Sequence, residues 1–171
     1  MTAEIRRLTP EDDRSGFESG DIELDRFFRR FAGQNQFRHH IGTTYVAVDG
    51  EVIHGFVTVA SAEVEIADLP RHRRKGLPAY PLPALRIARL AVDSRSQGRG
   101  IGSELLRFAY RLGGELAIKI GCAGVIVDAK AEAVPFYEIY GFEALEVTRG
   151  QLSERPEPTA MFLPIGSIPD S

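Results

Sequence analysis

Three glycines at alternating positions stand between a short apolar run and an amphipathic stretch, and they could hold a phosphate group. They are Gly98, Gly100 and Gly102, and they follow the run Arg86–Asp93, which is rich in Ile, Leu and Val. Glycine lets backbone N–H groups approach a ligand without a Cβ in the way. The helix predicted behind them adds unpaired donors and a partial positive charge. The spacing indicates a phosphate or pyrophosphate site, although an ordinary strand–turn–helix connection would also fit these residues.

Two nucleotide-binding motifs do not fit this loop. A P-loop needs a Gly-Lys pair before Ser or Thr, and the sequence contains no Gly-Lys pair. The dinucleotide fingerprint needs a third glycine where Ser103 stands, and its acidic partner would be Glu115, which falls inside the predicted helix. What remains is the pattern Gln-x-x-Gly-x-Gly, formed by Gln97, Gly100 and Gly102.

A second segment carries a tyrosine that could donate a proton. It follows a predicted buried strand at 124–129 and reads Ala-x-x-Phe-Tyr-x-x-x-Gly-Phe, with its tyrosine at Tyr137. Pro135 suits the first turn of a helix and Gly141 suits its C-terminal end, after which the chain enters another strand. A phenol with an ordinary pKa of about 10 is protonated at neutral pH and can act as an acid. The alternative is a packed aromatic ring whose hydroxyl merely finds a partner.

Together the two motifs resemble the GNAT family of N-acetyltransferases. The resemblance implies an α/β (α+β) fold with a central mixed, mostly antiparallel sheet of six to seven strands and about four flanking helices. A splayed strand pair would hold acetyl-CoA as co-substrate, with no metal, and Tyr137 would be the general acid. The residues expected to contact the cofactor belong to the preceding strand, the loop and the second motif: Leu90, Ala91, Val92, Gln97, Gly98, Arg99, Gly100, Ile101, Gly102, Ser103 and Phe136.

The expected chemistry is direct attack of an amine on the thioester. A backbone N–H near Val92 could hydrogen-bond the developing oxyanion, and Tyr137 could protonate the leaving thiolate. An α-amine has an ordinary pKa near 8, whereas a lysine side chain has a pKa of about 10.4. An α-amine acceptor therefore needs less help from a general base. Three residues on predicted strands could assist through water, but we expect them to be bystanders: His54, Glu63 and Glu65. Cys122 is the only cysteine. It could carry the acetyl group as a nucleophile, but we expect it to be a buried core thiol.

Positive charge is concentrated in one part of the chain. The protein has 171 residues and a net charge of −3, but residues 71–119 hold eleven Lys/Arg against three Asp/Glu, a net charge of +8. Part of that charge is expected for gripping CoA phosphates. The run Arg71-His72-Arg73-Arg74-Lys75 could instead meet a polyanionic substrate, or could be a solvated charge run.

Composition and periodicity predict one compact domain over 1–164, followed by a short polar tail over 165–171. No apolar stretch approaches the roughly 20 residues that span a bilayer, and no signal segment is evident, so a cytoplasmic location is expected. Further elements predicted are a strand at 3–8, a helix at 22–31 with Leu24, Phe27, Phe28 and Phe31 on its apolar face, and a hairpin around Asp49-Gly50. A long Pro-rich irregular connection is predicted over 67–85.

A finer resemblance concerns one branch of the family. Four segments together are similar to bacterial toxins of toxin–antitoxin pairs, which acetylate the α-amine of aminoacyl-tRNA and block translation. They are Phe17-x-Ser19-Gly20-x-x-x-Leu24-Asp25-x-Phe27, the Thr-Tyr-Val strand of the hairpin, Leu77-Pro78-x-Tyr80-Pro81-x-Pro83 and Arg89-Leu90-Ala91-Val92-Asp93. This resemblance implies a ribbon-helix-helix antitoxin, a homodimer and a basic tRNA-binding surface. The surface would be formed by Arg71, Arg73, Arg74, Lys75, Arg86 and Arg89. Two alternatives remain: acetylation of a small-molecule amine or a protein or peptide amine, and a non-catalytic module that only binds acetyl-CoA.

Overall fold

The computed structural model describes residues 3–146 and 158–166. In these residues the strands are β1 (Glu4–Arg7), β2 (Thr43–Asp49), β3 (Val52–Val64), β4 (Leu82–Val92), β5 (Gly124–Ala129), β6 (Glu143–Ala144) and β7 (Thr159–Pro164). The α-helices are α1 (Ile22–Arg26), α2 (Ala32–Phe37), α3 (Ile101–Lys119) and α4 (Val134–Ile139). The strands form one sheet in the order β1-β2-β3-β4-β5-β7-β6. This seven-stranded sheet with its helices confirms the predicted fold class.

The chain divides into two compact units, each assembled from two separate stretches of sequence. The first comprises Met1–Ala60 and Ile87–Arg111, and the second comprises Ser61–Arg86 and Leu112–Ser171. Strands β3 and β4 and helix α3 contribute residues to both. The single domain predicted over 1–164 stays a prediction. Of the predicted tail, Ile165 donates its N–H to the Ala123 carbonyl at 3.0 Å, and residues 167–171 lie outside the described part of the chain.

The predicted hairpin lies in the first unit. Strands β2 and β3 pair antiparallel, with Val46 opposite Phe56, and Gly50 adopts a positive φ of 62° in the connecting turn. That conformation costs glycine little, because it has no Cβ. Phe28 stacks on Phe56 with ring centroids 4.3 Å apart, and Phe17 meets Phe28 edge-on at 4.8 Å. These buried rings form the centre of the unit's core.

The helix predicted at 22–31 continues to Phe37, and its apolar face shifts partway along. Residues Phe27–Phe31 form a π-helical turn, in which the Ala32 N–H bonds to the Phe27 carbonyl five residues earlier. One extra residue in a turn rotates the following residues around the axis. As a result Ala32 is buried, whereas Phe31, predicted to be in the core, is 41% exposed. The prediction assumed uninterrupted α-helical periodicity, so it was wrong for Phe31.

The second unit is built around β5 and β7, which pair antiparallel with Val125 opposite Leu163 and Val127 opposite Met161. All four of these side chains are buried. The connection predicted as irregular over 67–85 is shorter than expected. It contains 3₁₀ turns at Ile66–Asp68 and Arg71–Arg73, and it ends where β4 begins at Leu82.

Among the described residues, no helix is both long and apolar enough to cross a membrane.

Gly55 allows α3 to pack closely on β3. A Cβ at Gly55 would lie 3.0 Å from the Ala91 carbonyl oxygen and equally close to side-chain atoms of Ile101 and Leu105. Ile101 and Leu105 are themselves buried, on the first two turns of α3. Since the backbone oxygen cannot move away cheaply, glycine at this position sets how near the start of α3 comes to the sheet.

We predict that Gly55→Ala destabilises the protein by about 1–3 kcal/mol, the usual cost of overpacking. Gly114→Ala is the matched control, because a Cβ there meets nothing within 4 Å. It lies inside α3, where alanine is favoured over glycine by up to about 1 kcal/mol. Urea unfolding of both variants measures the difference. Equal stability of the two would show that the close approach at Gly55 carries no cost.

Candidate functional site

A short 3₁₀ turn follows the end of β4, and the glycine loop leads from this turn into α3. Asp93 caps that turn, Ser94–Ser96, by accepting a hydrogen bond from the Arg95 N–H. Gly98 and Gly100 both have φ of 81°, a left-handed conformation that favours glycine. A Cβ at either position would meet nothing within 4 Å. These two glycines are needed for the backbone path, and they leave open space beside the loop.

The start of α3 supplies backbone donors to this open space. The first hydrogen bond of the helix runs from the Glu104 N–H to the Gly100 carbonyl at 3.0 Å. Helix geometry leaves the N–H groups of the preceding residues, Ile101, Gly102 and Ser103, without a partner inside the helix. Ile101 is buried and Arg99 is exposed. Backbone donors, the helix dipole and an arginine therefore lie at one short segment, an arrangement suited to a phosphate.

Gln97 has a structural role that the sequence pattern did not reveal. Its side-chain Nε2 donates to the Val92 carbonyl at 3.2 Å and to the Ser19 carbonyl at 3.1 Å. The side-chain amide thus ties the loop both to the end of β4 and to a distant N-terminal segment. Of the predicted cofactor residues on β4, Ala91 is buried, and Leu90 and Val92 are half-buried.

Asp93 is a buried carboxylate that joins the strand end to the same N-terminal segment. Its Oδ1 accepts from the Arg95 N–H at 3.0 Å and from Arg95 Nε at 2.9 Å. Its Oδ2 accepts from Arg95 Nη2 at 3.1 Å and from the Glu18 N–H at 3.2 Å. These bonds, those from Arg95 foremost, lower the pKa of Asp93 to about 2. The Ser94 N–H completes the link by donating to the Glu18 carbonyl at 2.8 Å.

The segment around Ser19 is also held from the helix side. Asp25, which is buried, accepts from the Ser19 hydroxyl at 2.6 Å and from the Ser19 N–H at 2.9 Å. Arg29 donates from Nε and Nη2 to the Phe17 carbonyl, at 2.9 and 2.6 Å. The segment around Ser19, which contributes to the resemblance to the toxin branch, is therefore hydrogen-bonded both to the glycine loop and to the strand end before it.

His54 lies beneath the 3₁₀ turn and not in a position to act as an exposed base. It is only 8% exposed, and its Nδ1 is 2.6 Å from the Ser96 hydroxyl. Its backbone carbonyl accepts from the Asp93 N–H at 2.8 Å. His54 thus supports the turn from below. Glu63 and Glu65, the other residues considered as helpers, are exposed.

The second unit contains the tyrosine motif. Tyr137 lies on α4, where Pro135 occupies the first turn, and its ring packs edge-on against Phe136 at 5.1 Å and Phe142 at 5.3 Å. It is 5% exposed, and burial raises the pKa of its phenol to about 12. Gly141 ends the helix with a φ of 93°. Tyr137 is therefore fully protonated at neutral pH.

Most of the predicted basic surface has partners within the protein. Arg73 pairs with Glu143 at 2.8 Å, Arg74 with Glu146 at 2.9 Å, and Arg86 with Asp128 at 2.8 Å. The Arg89 guanidinium stacks 3.9 Å above the ring of Phe27. Arg71 and Lys75 are exposed. Two of the four Lys/Arg residues in the run 71–75 are therefore compensated by carboxylates.

The remaining features that bear on the chemistry are the single cysteine and the question of a metal site. Cys122 lies just before β5, is half-buried, and approaches the Gly124 carbonyl with its Sγ at 3.3 Å. Among residues 3–146 and 158–166, no group of three or more His, Cys, Asp or Glu side chains could hold a metal ion.

A strand that leads through a glycine loop into a helix suits a phosphate-bearing co-substrate, and the family comparison identifies the class of enzyme. The family model described as the acetyltransferase (GNAT) domain matches residues 40–144. The chain therefore belongs to the GNAT acetyltransferase family.

Several proteins of known name or structure are similar to this chain. The chain is 38% identical to a tRNA-acetylating toxin of Mycobacterium tuberculosis over 139 residues, which cover 81% of this chain and 82% of the relative. It is also similar to the AtaT toxin complexed with acetyl-methionyl-tRNAfMet, with a TM-score of 0.80, 27% identity and coverage of 94% of both chains. A crystal structure of AtaTR bound with acetyl-CoA gives a TM-score of 0.76 and 27% identity, covering 97% of this chain and 95% of that one.

We predict that Asp93→Asn lowers the free energy of unfolding at pH 7 by about 1–3 kcal/mol, because charged hydrogen bonds to Arg95 are lost. The folded-state pKa of about 2 lies below the ordinary value of about 3.9. The stabilisation is therefore complete above pH 4 and disappears as the pH falls from 4 to 2. Urea unfolding at several pH values should show the two proteins converging in acid. Asp13→Asn, at an exposed carboxyl that accepts hydrogen bonds from Ser15, is the control. A gap between wild type and Asp93→Asn that persists unchanged at pH 2 would contradict this account.

Proposed function

We propose that this protein is a toxin that transfers the acetyl group of acetyl-CoA to the α-amine of aminoacyl-tRNA and thereby blocks translation. The observation that carries the proposal is the 38% identity to a tRNA-acetylating toxin over 81% of the chain. The glycine loop at the start of α3 supports it, since that loop suits the pyrophosphate of the donor. The AtaT complex with acetyl-methionyl-tRNAfMet, also a similar protein, supports the choice of acceptor.

The loop fits the donor on three physical grounds. Space is open beside Gly98 and Gly100, backbone donors are available at the start of α3, and Arg99 is exposed. Bound acetyl-CoA supplies a thioester whose carbonyl an amine can attack. We propose that the pyrophosphate lies against the loop and that the end of β4, from Leu90 to Val92, lines the path of the pantetheine arm. A backbone N–H near Val92 would hydrogen-bond the developing oxyanion.

Tyr137 is the proposed general acid. Its raised pKa keeps the phenol protonated, and a thiolate with an ordinary pKa of about 8.5 is a leaving group that gains from protonation. A raised phenol pKa also means that the proton is given up less readily than from an exposed tyrosine. The role requires that the hydroxyl reach the sulfur of bound acetyl-CoA. Phe136, half-buried beside it, is the proposed cofactor contact on the same helix.

The acceptor and partners follow from the same proposal. An aminoacyl α-amine titrates near pH 8, so a useful fraction is neutral without a dedicated base. The burial of His54 and its contact with Ser96 agree with this, since they leave it a supporting residue. Arg71 and Lys75 remain proposed tRNA contacts. A ribbon-helix-helix antitoxin, a homodimer and a cytoplasmic location complete the proposal.

We predict that Gly100→Asp weakens acetyl-CoA binding at least tenfold, or by about 1.4 kcal/mol. The substitution places a negative charge beside the pyrophosphate and strains a backbone at φ 81°. Gly50→Asp is the matched control, because Gly50 also has a positive φ and open space around it but lies in the hairpin turn. Calorimetry on the folded variants measures both affinities. Wild-type affinity in Gly100→Asp would exclude the loop as the binding site.

We predict that Tyr137→Phe retains acetyl-CoA binding and loses about 10²–10⁴-fold in kcat, the usual contribution of general acid catalysis. The ring stays packed, so stability changes little. The assay follows labelled acetyl from acetyl-CoA into charged tRNA, with deacylated tRNA as the control that lacks an α-amine. Expression of the wild type should halt growth, and expression of Tyr137→Phe should not.

Two results would separate the proposal from its alternatives. Label that enters a polyamine or a peptide, but not charged tRNA, would assign the enzyme to another acceptor. Full activity of Tyr137→Phe under conditions where chemistry limits the rate would make Tyr137 structural.

A further inference from the structure

A basic cleft lies on the first unit, whereas the charge run at 71–75 belongs to the second unit. It has a volume of about 380 Å³ and is lined by Glu18, Ile22, Asp25, Arg26, Arg29 and Arg30. The three arginines belong to α1 and the π-helical turn that follows it, and all three are exposed.

The two carboxylates in the lining are engaged with groups other than Arg26 and Arg30. Asp25 is buried, and its oxygens accept from the Ser19 hydroxyl and N–H. Asp25 also forms a long ion pair with Arg29, at 4.0 Å. Glu18 acts electrostatically on Arg95. Arg29 is held in place by its two bonds to the Phe17 carbonyl, which leave other guanidinium donors available. Arg73, Arg74 and Arg86, by contrast, each have a carboxylate within 2.9 Å.

The cleft adjoins the glycine loop through the chain itself. Glu18 lines the cleft, and its neighbour Ser19 accepts a hydrogen bond from Gln97 of the loop. Glu18 is also bonded to Asp93 and Ser94 at the entrance to that loop. A polyanion held in the cleft would therefore be held beside the segment proposed to bind the acetyl donor.

We propose that this cleft binds phosphates of the acceptor nucleic acid, with Arg26 and Arg30 as the principal contacts and Arg29 as a fixed third. Arginine suits this task, because its planar fork of donors matches phosphate oxygens. This inference rests on the proposed function for the identity of the acceptor. It adds α1 and its π-helical turn to the proposed tRNA contacts Arg71 and Lys75.

The test measures binding of bulk deacylated tRNA to the full-length protein at several salt concentrations. Arg26→Ala with Arg30→Ala should raise the Kd at least tenfold and reduce the log–log salt slope by about one to two, since each phosphate contact contributes about 0.7–0.9. The affinity for acetyl-CoA should stay unchanged. Arg107→Ala with Arg111→Ala is the matched control. These two exposed arginines, also four residues apart, lie on α3 of the same unit.

Each result decides the proposal. Wild-type affinity and slope in the Arg26/Arg30 variant would overturn it, as would an equal loss in the Arg107/Arg111 control, which would indicate only general electrostatic attraction. Loss of binding to an acidic peptide with tRNA binding intact would make the cleft a peptide site and also overturn it. Failure of the proposed function is a separate observation, namely that wild type binds tRNA but transfers no label to charged tRNA.

Discussion

The carboxylate of Asp93 is the constraint on which the candidate site depends. It lies at the end of β4, where a strand must stop and a loop must begin, and it is almost fully buried. A buried charge is costly unless every oxygen is satisfied. Bonds from Arg95 and Glu18 satisfy it here, and the same bonds join the strand end to the N-terminal segment. The same buried carboxylate therefore ends β4 and fixes the turn from which the glycine loop starts.

The N-terminal segment from Gly16 to Gly20 is held by hydrogen bonds from three separate elements. Asp93 holds it from the strand, Gln97 from the loop, and Asp25 and Arg29 from the helix. Phe17 anchors it in the core against Phe28. A loop fixed by several charged or buried bonds loses little further entropy when a ligand binds, so its donors are preorganised. The arginines of the adjoining cleft lie on α1 and its π-helical turn, which also carry Asp25 and Arg29.

Charge in this protein is informative only after its partners are known. The basic run at 71–75 contains two arginines whose guanidinium groups are paired with Glu143 and Glu146, some seventy positions later in sequence. Arginines on α1 and the π-helical turn lie in a less basic stretch, yet they line an open cleft. A solvated ion pair contributes little to long-range attraction, because its field cancels over short distances. Local composition therefore overstated the free charge of the run at 71–75.

The sequence by itself determined the elements with strong local signals: the hairpin at Gly50, the buried strand β5, the glycine loop and the tyrosine helix. Each depends on periodicity or on residues that only one backbone conformation suits. Tertiary structure alone decided the π-helical turn that exposes Phe31, the support role of His54, and the pairing of Arg73 and Arg74. These depend on residues distant in sequence, whose approach is set by packing and by the need to satisfy buried polar groups. Local patterns carry no record of such contacts, so these local elements were predictable and the hydrogen-bond network that joins them was not.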